Sequence, residues 1–125
     1  MTQKCTIRVA ELTFQERILF IRFFEGAELD LADVKEFFDL GLKFSGGKPY
    51  CILGDSRANP VSTPEARAFG AEQEYSWFRL ADALLVNPTV TRLTANGYIN
   101  FNKPKVPTRM FTSEEKAIAW LKTFL

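Results

Sequence analysis

The sequence predicts an α/β domain with a largely parallel sheet, in the order ββαβαβαβα. Three observations carry that expectation. Short apolar runs alternate with amphipathic helical segments along nearly the whole chain. Each main helical segment opens on a start signal: Asp30, the Ser62-x-x-Glu65 box and the Thr112-x-x-Glu115 box. Only the first strand connection is short enough for a hairpin, so the later strands need right-handed crossovers. About five strands and four helices result, in a single domain over residues 1–125.

Cys5–Leu12 alternates, with Cys5, Ile7 and Val9 on one side and Thr6 and Arg8 on the other, as a half-buried strand does. Thr13–Glu16 reads as a polar turn. Arg17–Phe24 is apolar on both faces except at Arg22, which suits a more central strand. Asp30 caps the first helix, with Asp33 in its first turn where the dipole favours negative charge. Val34, Phe37, Phe38 and Leu42 then share one stripe with Gly41, whose cost in helix propensity, about 1 kcal/mol, implies close approach to the sheet. Ser45-Gly46-Gly47 closes the helix.

Lys48–Asp55 is the third strand. Ser62 then caps a helix that tolerates Pro64 in its first turn and runs to about Phe78, through Phe69, Tyr75 and Trp77. Ala81–Val86 is a fourth strand, apolar except for Asp82. Asn87-Pro88 opens a helix with Val90, Leu93, Gly97 and Phe101 on one face, and Asn96, Asn100 and Asn102 mark its hydrated end. Lys103–Pro107 is a loop long enough to move. Thr108–Phe111 is a short strand, and Ala117, Ile118, Leu121 and Phe124 form the stripe of a last helix capped by Thr112.

Composition narrows the function. The chain has 125 residues, 46% hydrophobic and 25% charged, which fits a globular domain with a substantial core. A net charge of +1, spread evenly, leaves no basic stripe for nucleic acid. Apolar runs such as Ile18–Ile21 fall far short of the ~20 residues of a membrane span. Without a signal-peptide core near the N-terminus, the expected location is cytoplasmic. Cys5 and Cys51 read as buried free thiols. No histidine is present, which removes Ser-His and Cys-His nucleophile pairs and histidine metal ligands together. No cofactor or metal is expected. The carboxylates of Glu72, Glu74, Glu114 and Glu115 fall on solvent faces, away from any convergent acid/base geometry. SGGKP at residues 45–49 lacks phosphate-loop spacing.

The element order, with ADALLVNP at residues 81–88 and RMFTSEEKAIAWL at residues 109–121, resembles the STAS/SpoIIAA-like family, a fold shared in outline with CRAL-TRIO lipid-binding domains. The resemblance covers nearly the whole chain. It implies a phosphoacceptor serine at the start of the second helix, as in anti-anti-sigma members, within an Asp-Ser-Ser-Gly or Asp-Ser-Thr-Gly motif. Asp55 matches the acidic strand end and Ser62-Thr63 the acceptor pair, but Val61 and Pro64 stand where that motif has Asp and Gly.

Two functional expectations follow, both non-enzymatic. In the first, the domain is a regulatory module that docks a protein partner through the strand-end surface at Asp55, Ser56, Arg57, Ser62 and Thr63. Local turn and capping chemistry is the simpler role of the same residues. In the second, the domain carries a small apolar or lipid-like ligand. That reading rests on twelve Phe residues and on the aromatic segment Phe69, Tyr75, Trp77 and Phe78, which one core face cannot easily hold. Some of that aromatic surface should meet a pocket, the Lys103–Pro107 loop or a second copy in a homodimer.

Overall fold

A computed structural model describes residues 2–72, 77–88 and 103–125. Its main sheet has six strands: β1 (Gln3–Thr6), β2 (Ala10–Gln15), β3 (Ile18–Phe23), β5 (Tyr50–Asp55), β7 (Arg79–Leu85) and β8 (Thr108–Phe111), adjacent in that order. β1, β2 and β3 form an antiparallel meander, and β3, β5, β7 and β8 run parallel. Two short strands, β4 (Glu28–Leu29) and β6 (Val61–Ser62), pair in parallel as a second small sheet. The helices among the described residues are α1 (Leu31–Ser45), α2 (Pro64–Ala71) and α3 (Glu114–Lys122).

Pleating divides the core in two. Leu12 and Phe14 of β2, Leu19 and Ile21 of β3, and Tyr50 and Ile52 of β5 pack with Val34, Phe37 and Phe38 of α1 and Ala66 of α2. On the opposite face Ile18, Cys51, Leu53, Ala83 and Leu85 meet Ala117 and Leu121 of α3. α1 forms as its sequence dictates. Asp30 accepts from the Asp33 amide while the Asp33 carboxylate accepts from the Asp30 amide, and Gly46 closes the helix at φ 65°. Gly41 lies directly over Tyr50: a Cβ there would sit 2.5 Å from the phenol oxygen. Leu42, by contrast, is exposed.

The N-terminal region departs from the expected single strand over Cys5–Leu12. Residues 7–9 turn the chain between β1 and β2, and Cys5 is only half-buried in β1, whereas Cys51 is fully buried. Arg8 in that turn reaches the Glu28 carbonyl and the buried Asp33 carboxylate, tying the turn to the start of α1. Thr13–Glu16 is not the turn either. β2 continues to Gln15, and the reversal is a two-residue turn at Glu16 (φ 53°) and Arg17 (φ 64°), the left-handed pair that matches strand twist. Neither residue is glycine, so the sequence lacks the usual signal. Glu16 is held by Lys122 at 3.1 Å, and Arg17 Nε donates to the Pro49 carbonyl at 3.0 Å.

Three start and stop signals shift. Ser62 lies in β6, and Thr63 is the N-cap of α2, accepting from the Ala66 amide. Ser113, not Thr112, caps α3 through the Lys116 amide. α2 ends at Ala71 rather than near Phe78; its cap, Glu72, is already extended. The next strand starts early, at Arg79. The Lys103–Pro107 segment is anchored, with Val106 buried, the Lys105 amide bound to the Ala71 carbonyl and the Pro107 carbonyl bound to the Asp82 amide. The helix expected after Asn87-Pro88, with Val90, Leu93, Asn96, Gly97, Asn100, Phe101 and Asn102, lies outside the described residues, as does Tyr75.

Candidate functional site

The site grows from an irregularity in β7. Tyr50 of β5 pairs with Arg79, but Ile52, two residues on, pairs with Asp82, three residues on. One extra residue in β7 forms a bulge, which restores to one face two side chains that strict alternation would place on opposite faces. Arg79 and Asp82 therefore both turn toward α1 and α2. Both are buried, at 1% and 7% exposure, and Arg79 Nη1 lies 2.9 Å from Asp82 Oδ2.

Arg79 also closes the end of α2. Its Nη1 donates to the Gly70 carbonyl at 3.0 Å and its Nη2 to the Glu72 carbonyl at 2.7 Å, while the guanidinium lies 4.6 Å from the Phe38 ring centroid. A cation at a helix C-terminus is favourable, because the last carbonyls of a helix have no donor within the helix. Asp82 is less well served. Oδ2 faces Arg79, but Oδ1 is buried with no hydrogen-bond partner among the described residues. Burial pushes the carboxyl up to about 6, and the Arg79 charge only partly opposes that shift.

Beside this pair lies a cavity of about 210 Å³, between the sheet, α1 and α2. Its walls are mainly apolar, including Phe23, Phe37, Phe38, Ile52 and Leu84, with Arg79 and Asp82 as the buried polar groups. Gly54 helps to open it, since a Cβ there would meet only ordinary contacts at 3.7 Å or more. Half-exposed Ser56, Pro60, Ser62 and Arg67 form the rim, next to the carboxyl ends of β5 and β7.

The strand-end residues named from the sequence divide around this cavity. Asp55 and Arg57 form a closed pair apart from it: Arg57 Nε and Nη2 lie 2.9 and 2.7 Å from the two Asp55 oxygens, and the Arg57 amide donates at 3.1 Å. Burial alone would push Asp55 up, but the Arg57 hydrogen bonds and charge together hold it below its ordinary value. Ser56 and Ser62 reach the rim, and Thr63 is spent on capping α2. The aromatic candidates sit elsewhere. Phe69 packs on Phe38 with ring centroids 5.9 Å apart, and Trp77, 64% exposed, stacks on Phe78 at 3.6 Å. None of these three lines the cavity; Phe23, Phe37 and Phe38 do.

Sequence reasoning missed Arg79 and Asp82 as a unit. A lone acid within the run LADALLV was the available signal, but the bulge that pairs it with Arg79 has no mark in the sequence. Among the described residues no group of three Cys, Asp or Glu side chains is placed to hold a metal ion, and no helix is long and apolar enough to cross a membrane.

Comparison with known proteins places this architecture. An uncharacterized DUF3478-family protein from Shewanella loihica PV-4, described as having a SpoIIAA-like fold, matches over 97% of this chain and 92% of its own, with 12% identity and a TM-score of 0.54. A protein with unknown function from Arthrobacter sp. FB24 is 27% identical over 89% of this chain and 97% of its own, with a TM-score of 0.33. No curated protein matches. The fold is thus SpoIIAA-like, as the late segments of the sequence suggested. The family described as domain of unknown function DUF7793 matches residues 12–125, and the chain belongs to that family.

Proposed function

We propose that this domain is a non-enzymatic regulatory module that holds a small, mainly apolar ligand in the cavity between its sheet and helices α1 and α2. One observation carries the reading: the cavity has apolar walls, a buried polar pair at the sheet and a rim at the strand ends, where α/β proteins place ligands. Its volume sets the scale. An apolar cavity of ~150 Å³ takes up benzene, so about 210 Å³ holds one ring or a short aliphatic group, and a full acyl chain would have to leave through the rim. The rim supplies the regulatory half of the proposal. Ser56, Pro60 and Ser62 belong to the same 55–63 segment that offers a protein-docking surface, so an occupied cavity touches the surface a partner would read.

Methyl NMR with toluene as the probe tests the reading. Signals of Ile52, Leu84 and Val86, which line the cavity, should shift, while those of Leu53 and Leu85 on the α3 face should stay. Gly54→Ala, which adds a methyl without a clash, should weaken uptake while leaving the fold intact. No shift of the lining methyls up to the solubility limit of toluene would refute the proposal.

A further inference from the structure

We infer that the ligand is a small amphipathic carboxylate, whose ring or short aliphatic body fills the cavity while its carboxylate lies at the rim on the guanidinium of Arg67. The inference deepens the ligand-binding reading above and rests on it.

Charge singles out Arg67. Three charged side chains line the cavity: Arg67, Arg79 and Asp82. Arg79 and Asp82 form their own ion pair and are sealed at 1% and 7% exposure, so they offset each other and offer an incoming group almost no surface. Arg67 is half-buried on α2, and no carboxylate among the described residues lies within ion-pair distance of it. The cavity therefore carries one uncompensated positive charge, at its rim.

The shape of the guanidinium selects a carboxylate. Arg67 Nη1 donates to the Ser62 carbonyl, which fixes the group at the rim and leaves its Nε–Nη2 edge without an acceptor among the described residues. That edge is a planar two-donor fork that matches the two oxygens of a carboxylate. Arg57 uses the same edge in this chain, with Nε and Nη2 at 2.9 and 2.7 Å from the two oxygens of Asp55. The rim is also where an anion costs least. Water still reaches the half-exposed side chains there, so the carboxylate keeps part of its hydration, whereas the apolar walls deeper in would strip it. Body and head thus separate along the cavity.

The experiment is an NMR titration of the full chain at pH 8 with four probes: 3-phenylpropionate, its neutral amide, 3-phenylpropylamine and toluene. It is read at the methyls of Ile52, Leu84 and Val86, which line the cavity, and at the amides of Ser62 and Arg67 on the rim. The carboxylate should bind about tenfold tighter than the amide, a difference of about 1.4 kcal/mol, with the amine weakest. Raising NaCl from about 0.05 to 0.5 M should narrow that gap. In Arg67→Gln the ratio of carboxylate to amide affinity should fall to about one, and in Arg67→Lys, which keeps the charge but loses the fork, it should lie between. Equal binding of carboxylate and amide would overturn the anion site while leaving the cavity reading intact. Tightest binding by the amine would overturn the charge assignment. A carboxylate that shifts the rim amides but not the methyls is held on the surface only, which would overturn the amphipathic placement. An unchanged ratio in both Arg67 variants would remove Arg67 as the anchor. Silence from all four probes would overturn both readings together. If Arg67→Gln does not fold, Arg67→Lys and the salt series decide.

Discussion

Replacing Gly41 with alanine opposes two effects of known size. Glycine inside a helix costs about 1 kcal/mol relative to alanine, so propensity alone makes Gly41→Ala stabilising by that amount. The tertiary contact acts the other way. A Cβ at position 41 would stand 2.5, 2.6 and 2.7 Å from Oη, Cζ and Cε2 of Tyr50, closer than real Cβ atoms come to heavy atoms. Tyr50 is 1% exposed, so its ring cannot swing out to solvent. Overpacking of a dense core costs about 1–3 kcal/mol. Three simultaneous contacts put this case toward the upper end, for a net destabilisation of about 1–2 kcal/mol after the propensity gain. Urea unfolding followed by circular dichroism would measure it, with unchanged m values as the control. Tyr50→Phe sharpens the test. It removes a buried hydroxyl that has no hydrogen-bond partner, so by itself it should be neutral or slightly stabilising. Combined with Gly41→Ala it should recover part of the loss but not all, because the ring atoms remain. If Gly41→Ala stabilises the protein by the full propensity value, α1 is not pressed onto Tyr50 and the packing argument fails.

Four further outcomes are expected. Thr63→Ala should cost about 0.5–2 kcal/mol as a lost helix cap, while Ser62→Ala should stay within about 0.5 kcal/mol, both read by the same unfolding assay. Asp82 titrates higher folded, at about 6, than unfolded, at about 3.9. Its contribution is therefore fully present below the unfolded value and lost as pH rises through 6. Between pH 4 and 7 the stability of wild type relative to Asp82→Asn should fall by about 2 kcal/mol, and a flat difference would contradict the buried-acid assignment. Asp55 and Asp30, both held low, work in the opposite sense in either protein and cancel in that comparison. A disulfide reagent should label Cys5 readily and Cys51 only on unfolding, because burial both shields Cys51 and pushes its thiol up to about 11. Trp77→Ala should cost well under the ~3–5 kcal/mol of an emptied aromatic core site, since that ring is 64% exposed.

Local rules alone determined much of this protein. The Asp30–Asp33 capping box, the left-handed Gly46 and the apolar stripe of Val34, Phe37 and Phe38 are set within a few residues of chain, and the sequence states them directly. Alternation of strands and helices likewise determined the parallel half of the sheet, because crossovers of that length admit little else. Where two neighbouring residues could serve equally, as Ser62 and Thr63 or Thr112 and Ser113, the long-range pairing of β6 with β4 and the reach of β8 decided which one caps. The Glu16–Arg17 turn took a left-handed backbone without glycine because a two-residue reversal between the paired residues Gln15 and Ile18 requires it. The cavity depended on tertiary structure most of all. Periodicity assigns Arg79 and Asp82 to opposite faces, and only the mismatch in register between β5 and β7 brings them together beneath α1 and α2.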